Sequence, residues 1–223
     1  VPDAVNVAGG IIDPSVRPGI PLMEKLGQVF VGLCPGPISS IEVGVRGEIV
    51  EHDVSVLKLA ALKGIFSRIV SEQVSYVNAP LLAAARGVEV SMTTDAKSED
   101  YRNVLTIRGV LGDGTQVSAS ATLTGAKQIE KLVEVNGYEI EVPLADHHIV
   151  MMYQDRPGIV AIYGRAFGDA SINIAGMQIA RDKIGGRALS VLTVDSRVPD
   201  DLLDEVAASI EATIMAPIDI LEL

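Results

Sequence analysis

Leu22, Leu26, Val29, Phe30 and Leu33 fall on one face of a helix, and Pro35-Gly36-Pro37 ends the run. The spacing predicts a helix over 22–33 with one buried side. Ile41, Val43 and Val45 then alternate with Glu42, Gly44 and Arg46, the period of a strand. Helical spacing returns at Val54, Leu57, Ala61, Ile65, Ile69 and Val70, with Asp53 placed to cap it. Asn78-Ala79-Pro80 opens a short helix that Gly87 closes. Strands are expected over 88–94 and 104–111, and Gly112-Asp113-Gly114 turns the chain into another over 116–124. Asn136-Gly137 between residues 132–135 and 138–142 is a strong hairpin signal, because both central residues of a tight hairpin turn need positive φ.

Pro143-Leu144-Ala145-Asp146 interrupts the pattern. Beyond it the expected order is strand 147–153, helix 158–167, strands 171–181 and 187–195, helix 200–213 and strand 215–221. Ile159, Ile162, Tyr163, Ala166 and Phe167 form one stripe of the first helix, and Leu202, Val206 and Ile210 one face of the second. Pro199 precedes the second helix and Asp200 and Asp201 occupy its first turn. This is the β-α-β-β-α-β order of ferredoxin-like folds. The fold class expected is α+β: a mostly antiparallel-sheet domain over 11–145, then a ferredoxin-like domain over 146–223. Residues 1–10, ending in Gly9-Gly10 and without a periodic face, read as a linker from something upstream. The chain opens on Val1 rather than Met, which we take as the mark of a piece of a longer polypeptide.

Composition narrows the classes. Of 223 residues, 48% are hydrophobic and only 4% aromatic, so the core is expected to be built from Val, Ile, Leu and Ala. The formal charge of −11 repels phosphate backbones and argues against nucleic acid as a partner. No apolar run approaches the ~20 residues of a membrane span, and no leader-like segment is evident. The single cysteine, Cys34, cannot close an intramolecular disulfide and reads as a reduced core thiol of a cytoplasmic protein.

The stretch richest in chemistry is Tyr153-Gln154-Asp155-Arg156-Pro157-Gly158, followed by a helix and then Asn173. A helix N-terminus beside a carboxylate and an amide suits a small zwitterion: backbone N–H groups for an α-carboxylate, Asp155 and the Asn173 carbonyl for an α-ammonium. Simpler readings stand beside it. Asp155 serves equally as a helix cap, Asn173 as a turn residue, and Tyr153 as a sheet aromatic with its hydroxyl at the rim. His147 and His148 point to opposite faces of a strand and make a poor chelating pair, so no metal is expected. No Gly-x-Gly-x-x-Gly follows a strand, and His52 lacks an evident carboxylate partner for hydride-transfer chemistry.

With Asp155-Arg156-Pro157-Gly158 and Ile172-Asn173-Ile174 placed in a β-α-β-β-α-β unit, the C-terminal part resembles an ACT domain, a small-molecule-sensing module. Val1-Pro2-Asp3-Ala4-Val5-Asn6-Val7, Val45-Arg46-Gly47-Glu48, Val77-Asn78-Ala79-Pro80 and the Val135-Asn136-Gly137 hairpin extend the likeness. Together they resemble the C-terminal regulatory half of long-type D-3-phosphoglycerate dehydrogenases, an intervening domain followed by an ACT domain. The resemblance implies L-serine as effector, bound where two ACT domains meet, and self-association as a dimer, with a tetramer for an intact enzyme. It places the serine-contacting side chains at Tyr153, Asp155 and Asn173, with backbone from Arg156, Pro157, Gly158 and Ile159 completing the pocket. A candidate anion site falls on Lys131, but the other basic positions expected there are Pro143 and Thr193 in this chain. The resemblance assigns NAD and catalysis to an upstream half, so no catalytic residue and no cofactor are expected here. Two alternatives are the regulatory subunit of an iron–sulfur L-serine dehydratase and an oligomerisation module without a ligand.

Overall fold

The computed structural model describes residues 12–223, so the linker expected over 1–10 and its Val-Pro-Asp motif lie outside the described residues. The chain divides into two compact units between Lys131 and Leu132. It is a mixed α+β structure whose sheets are mainly antiparallel, as the periodicities imply.

The first unit contains α1 (Gly19–Gly32), β1 (Ile38–Gly47), a 3-10 turn (Glu48–Glu51), α2 (Ser55–Phe66), α3 (Ala79–Ala85), β2 (Glu89–Asp95), β3 (Asn103–Leu111) and β4 (Gln116–Thr124). The strands lie in the order β2-β1-β3-β4. β1 and β2 run parallel, joined by α2 and α3, and the remaining pairs are antiparallel. α1 packs on α2, β3 and β4. Glycine permits the closest approach: a Cβ on Gly64 of α2 would stand 2.0 Å from the Glu24 carbonyl oxygen of α1. The buried Glu24 carboxylate at this crossing accepts from Lys63 Nζ at 3.1 Å and from the Tyr76 hydroxyl. Burial raises the Tyr76 phenol above its ordinary value, and the bond to Glu24 adds to the shift.

Local chemistry sets the helix limits. Asp53 Oδ1 accepts the Ser55 N–H at 3.0 Å at the start of α2. α2 stops at Phe66 rather than near Val70, where the Ser67 hydroxyl donates to the Lys63 and Gly64 carbonyls at 2.7 and 3.0 Å. Gly87, at φ +68°, lets the Val88 N–H reach the Ala83 carbonyl and close α3. The Cys34 thiol donates to the Phe30 carbonyl, and burial pushes its pKa to about 12. It is therefore a protonated, unreactive group near neutral pH.

The division between units falls within β5 (Ile129–Val135). The second unit continues with β6 (Tyr138–Pro143), β7 (His147–Gln154), α4 (Ile159–Asp169), β8 (Ile174–Arg181), β9 (Arg187–Val194), α5 (Asp200–Ile210) and β10 (Ile214–Asp219). Asn136 and Gly137 take φ of +49° and +82° between β5 and β6, as a tight hairpin requires. The four-stranded sheet has the order β10-β7-β9-β8 and is antiparallel throughout, the ferredoxin-like arrangement. Ile149, Met151 and Tyr153 of β7 and Leu192 of β9 pack with Tyr163 and Phe167 of α4 and Leu203, Val206 and Ile210 of α5. β8 begins three residues later than the apolar pattern suggests. Ile172 N–H closes α4 on the Phe167 carbonyl at 2.8 Å while Ser171 adopts φ +59°, and this turn consumes the first residues of the expected strand.

The two neighbouring histidines have separate partners. His147 Nδ1 lies 2.7 Å from Asp219 Oδ1. His148 is buried, and its Nε2 accepts the Ala145 N–H at 2.9 Å. Its Nδ1 must then carry the proton, facing the Leu192 carbonyl and the Thr193 hydroxyl, each at 3.3 Å. Burial depresses the His148 pKa below its ordinary 6.5, so the folded state holds it neutral. The unfolded chain binds a proton more readily, so the contribution is complete above pH 6.5 and is lost as pH falls below it. We expect the urea midpoint to fall as pH is lowered through this range, and His148→Gln to flatten the dependence. An unchanged slope in the variant would remove His148 as the cause.

Candidate functional site

Asp155 follows β7 directly, and its place is set by the turn that joins β8 to β9. Its N–H donates to the Gly186 carbonyl at 2.8 Å. Its Oδ2 accepts the Gly185 N–H at 3.3 Å and pairs with Arg181 Nη1 at 3.2 Å. The turn is itself held by Asp182, whose Oδ1 accepts the Lys183 and Arg187 N–H groups at 2.6 and 2.8 Å. A Cβ on Gly186 would stand 2.1 Å from that oxygen, so a side chain there would displace the Asp182 carboxylate from the turn. Asp155 does not cap α4. The N-cap is Gly158, at φ +94°, and no side chain bonds to it.

Arg156, Pro157 and Gly158 are exposed, while Ile159 is buried beneath them as the first residue of α4. The Arg156 guanidinium reaches Glu211 Oε1 at 2.9 Å, at the end of α5. Tyr153 is buried in the core rather than at its rim, with its hydroxyl 2.5 Å from Ser190 Oγ on β9. The Tyr163 hydroxyl bonds to Met177 Sδ at 3.0 Å, and burial pushes its pKa up to about 12. Tyr153 and Asp155 thus differ in setting: one anchors the strand from inside, the other faces outward.

Asn173 is exposed just ahead of β8, and its Nδ2 donates to Asp195 Oδ2 at 2.8 Å. That leaves the amide oxygen pointing elsewhere. Within one chain the structure does not bring Asn173 to Asp155. Asp155 sits at Gly186, before β9, and Asn173 at Asp195, after it. The eight residues of β9 separate them by roughly 26 Å at about 3.3 Å per residue. A local pocket formed by helix start, carboxylate and amide, as the order of residues suggested, is therefore not formed by a single copy. β7 and β8 run in the same direction, so the end of one and the beginning of the other cannot meet.

The outer strands of the sheet contrast. β10 carries Pro217, which offers no N–H and discourages another strand from adding. β8 has no proline and exposes Met177 and Ile179, and β6 lies against it, with the Glu141 N–H donating to Gln178 Oε1 at 2.9 Å. Lys131 is half-buried on β5. Of the positions expected to accompany it in an anion site, Pro143 ends β6 and the Thr193 hydroxyl faces the His148 ring. Among the described residues no group of three His, Cys, Asp or Glu side chains is placed to hold a metal ion. No described helix is long and apolar enough to cross a membrane.

Arg181, Gly185, Ser190 and Asp195 each contact a residue picked out from the sequence, yet none was picked out itself. The strand order carries the missing signal. Once β9 is placed between β7 and β8, the hairpin residues beyond Arg181 must lie beside the end of β7.

Two family models match the chain. The D-3-phosphoglycerate dehydrogenase intervening domain covers residues 15–136, and the ACT domain covers residues 147–211. The chain is 38% identical over 212 residues to D-3-phosphoglycerate dehydrogenase of Mycobacterium leprae, covering 95% of this chain and 40% of the relative. It is 38% identical over 221 residues to that of Mycobacterium tuberculosis, covering 99% and 42%. The Synechocystis protein of the same name is 34% identical over 208 residues, covering 91% and 37%. The chain thus spans about two-fifths of the length of the curated relatives it matches. It carries the regulatory domains of D-3-phosphoglycerate dehydrogenases, and belongs to the family of the D-3-phosphoglycerate dehydrogenase intervening domain, here followed by an ACT domain.

Proposed function

We propose that the ACT domains of two copies bind L-serine between them, and that this chain thereby imposes end-product control on the NAD-dependent oxidation of 3-phosphoglycerate. The oxidation and the NAD site belong to another part of a longer, cytoplasmic enzyme, and this chain alone does not carry them out. Names and coverage of the relatives support that division of labour.

The observation that carries the reading is the separation of Asp155 from Asn173 to opposite ends of β8, the outer strand of the sheet. If two β8 strands pair antiparallel about a two-fold axis near Met177 and Gln178, position 173 of one copy falls beside Arg181 and Asp182 of the other. There it meets Asp155, which Arg181 already contacts. The exposed apolar side chains Met177 and Ile179 are covered in the same step, and the outer strand β8 gains a strand partner. Each pair of domains then holds two equivalent sites. In each, Asp155 accepts the ammonium group, the amide of Asn173 comes from the second copy, and the backbone from Arg156 to Ile159 closes the pocket. Tyr153 supports Asp155 from within the core.

Serine bound across such an interface favours the paired arrangement over any other, because a ligand shifts an equilibrium only by its difference in affinity for the two states. A coupling of about 1–3 kcal/mol is the ordinary range for such control.

Isothermal titration with L-serine, glycine and D-serine tests the reading. L-serine is expected to bind most tightly, and Asp155→Ala to abolish the heat while leaving the circular dichroism spectrum intact. Absence of heat with all three amino acids would favour an oligomerisation module without a ligand. Retained serine affinity in Asp155→Ala would displace the site from Asp155.

A further inference from the structure

The Asp155–Arg181 pair has a feature that its role in the fold does not require. Arg181 is the last residue of β8, and its side chain is 55% exposed, against 23% for Asp155. An ion pair so open to water adds little to stability. Asp155 is already positioned by backbone bonds to Gly186 and Gly185. Both contacts of the carboxylate, with Arg181 and Gly185, fall on Oδ2. Among the described residues none donates to Oδ1, which remains able to accept. The guanidinium has five N–H donors in a planar fork and spends one on Asp155. An anionic acceptor and a cationic fork therefore lie side by side, facing outward at the end of the outer strand β8.

An amino acid presents the reverse pattern, an ammonium group and a carboxylate on one carbon. We propose that Arg181 is the α-carboxylate-binding residue of the site, so that the Asp155–Arg181 pair recognises the zwitterion as a unit. This inference rests on the reading of the ACT domains as a serine sensor and adds its specificity determinant. The ammonium takes the open Oδ1 of Asp155, and the carboxylate takes the remaining donors of Arg181, which stays in contact with Oδ2. Charge-assisted, two-pronged bonds of this kind are the strong ones. The arrangement selects free α-amino acids over amines and over esterified or peptide-linked residues, which lack the carboxylate.

The test is a titration of two ligands against two forms of the chain. L-serine methyl ester keeps the ammonium and the hydroxyl but has no carboxylate charge. The wild-type chain is expected to bind L-serine about ten- to a hundredfold more tightly than the ester. Arg181→Gln is expected to lose about that factor for serine, to change little for the ester, and so to lose the discrimination. Arg181→Lys, which keeps the charge but not the fork, should fall between. Loss of pairing by Arg181→Gln in sedimentation, where the wild type pairs, would make Arg181 structural and overturn the assignment. Wild-type serine affinity in either variant overturns the assignment, leaving the backbone at the start of α4 as the carboxylate site. Equal losses for serine and ester would make Arg181 structural and overturn it too. A wild-type chain that takes up no serine overturns the sensor reading itself, and this assignment with it.

Discussion

The antiparallel order β10-β7-β9-β8 is the constraint on which the second unit depends. Placing β9 between β7 and β8 buries Tyr153 against Ser190, sets Asp155 on the β8–β9 turn, and leaves β8 as an outer strand of the sheet. It also sends Asp155 and Asn173 to opposite ends of the sheet. Under our proposal one order of strands thus provides both halves of a binding site and prevents a single copy from assembling them. Under our proposal sensing and self-association are then the same event, which is what allows a small ligand to act on the assembly as a whole.

The supports of the site are divided between rigid and exchangeable contacts. Gly186, the Asp182 bonds and the Tyr153–Ser190 contact lie in the turn and the core, where substitution disturbs the framework. The contacts of Arg181 with Asp155, Asn173 with Asp195 and Arg156 with Glu211 lie at the surface, where water competes and the cost of exchange is small. Side chains that must rearrange to meet a ligand belong to the second class. In the proposed pairing, Pro217 on one outer strand and the exposed Met177 and Ile179 on the other direct association to β8.

Much of this was legible in the sequence where local chemistry governs. Asn136-Gly137 forms the hairpin turn it signals, Gly87 closes α3, and the Ile159-Tyr163-Phe167 stripe is the buried face of α4. Legibility failed where two distant segments decide the outcome. Helical spacing carried α2 on to Val70, but the Ser67 hydroxyl takes the Gly64 carbonyl and the Arg68 N–H turns to the Ile65 carbonyl at 3.2 Å instead. The apolar run before β8 hid the turn at Ser171. Asp155, Arg156 and Asn173 were visible as a set of suitable groups, but linear order gave them one pocket and the strand order separates them. Arg181 and Ser190 were missed because nothing near them in the chain marks them. Their meaning comes from β9 lying beside β7.

The central claim is that the binding site is shared, with Asp155 from one copy and Asn173 from the other. Asp155→Ala and Asn173→Ala chains each form pairs with both sites broken. Pairs containing one of each carry one intact site and one that lacks both residues. Titrating L-serine into the two variants separately and then into their equilibrated mixture is the most direct test. The account predicts no binding to either alone, and in the mixture binding of wild-type affinity at about a quarter of the wild-type stoichiometry, the share expected when copies exchange at random across a two-fold interface. A mixture as silent as its components, while the wild type binds serine and sedimentation shows that the variants exchange, would contradict it.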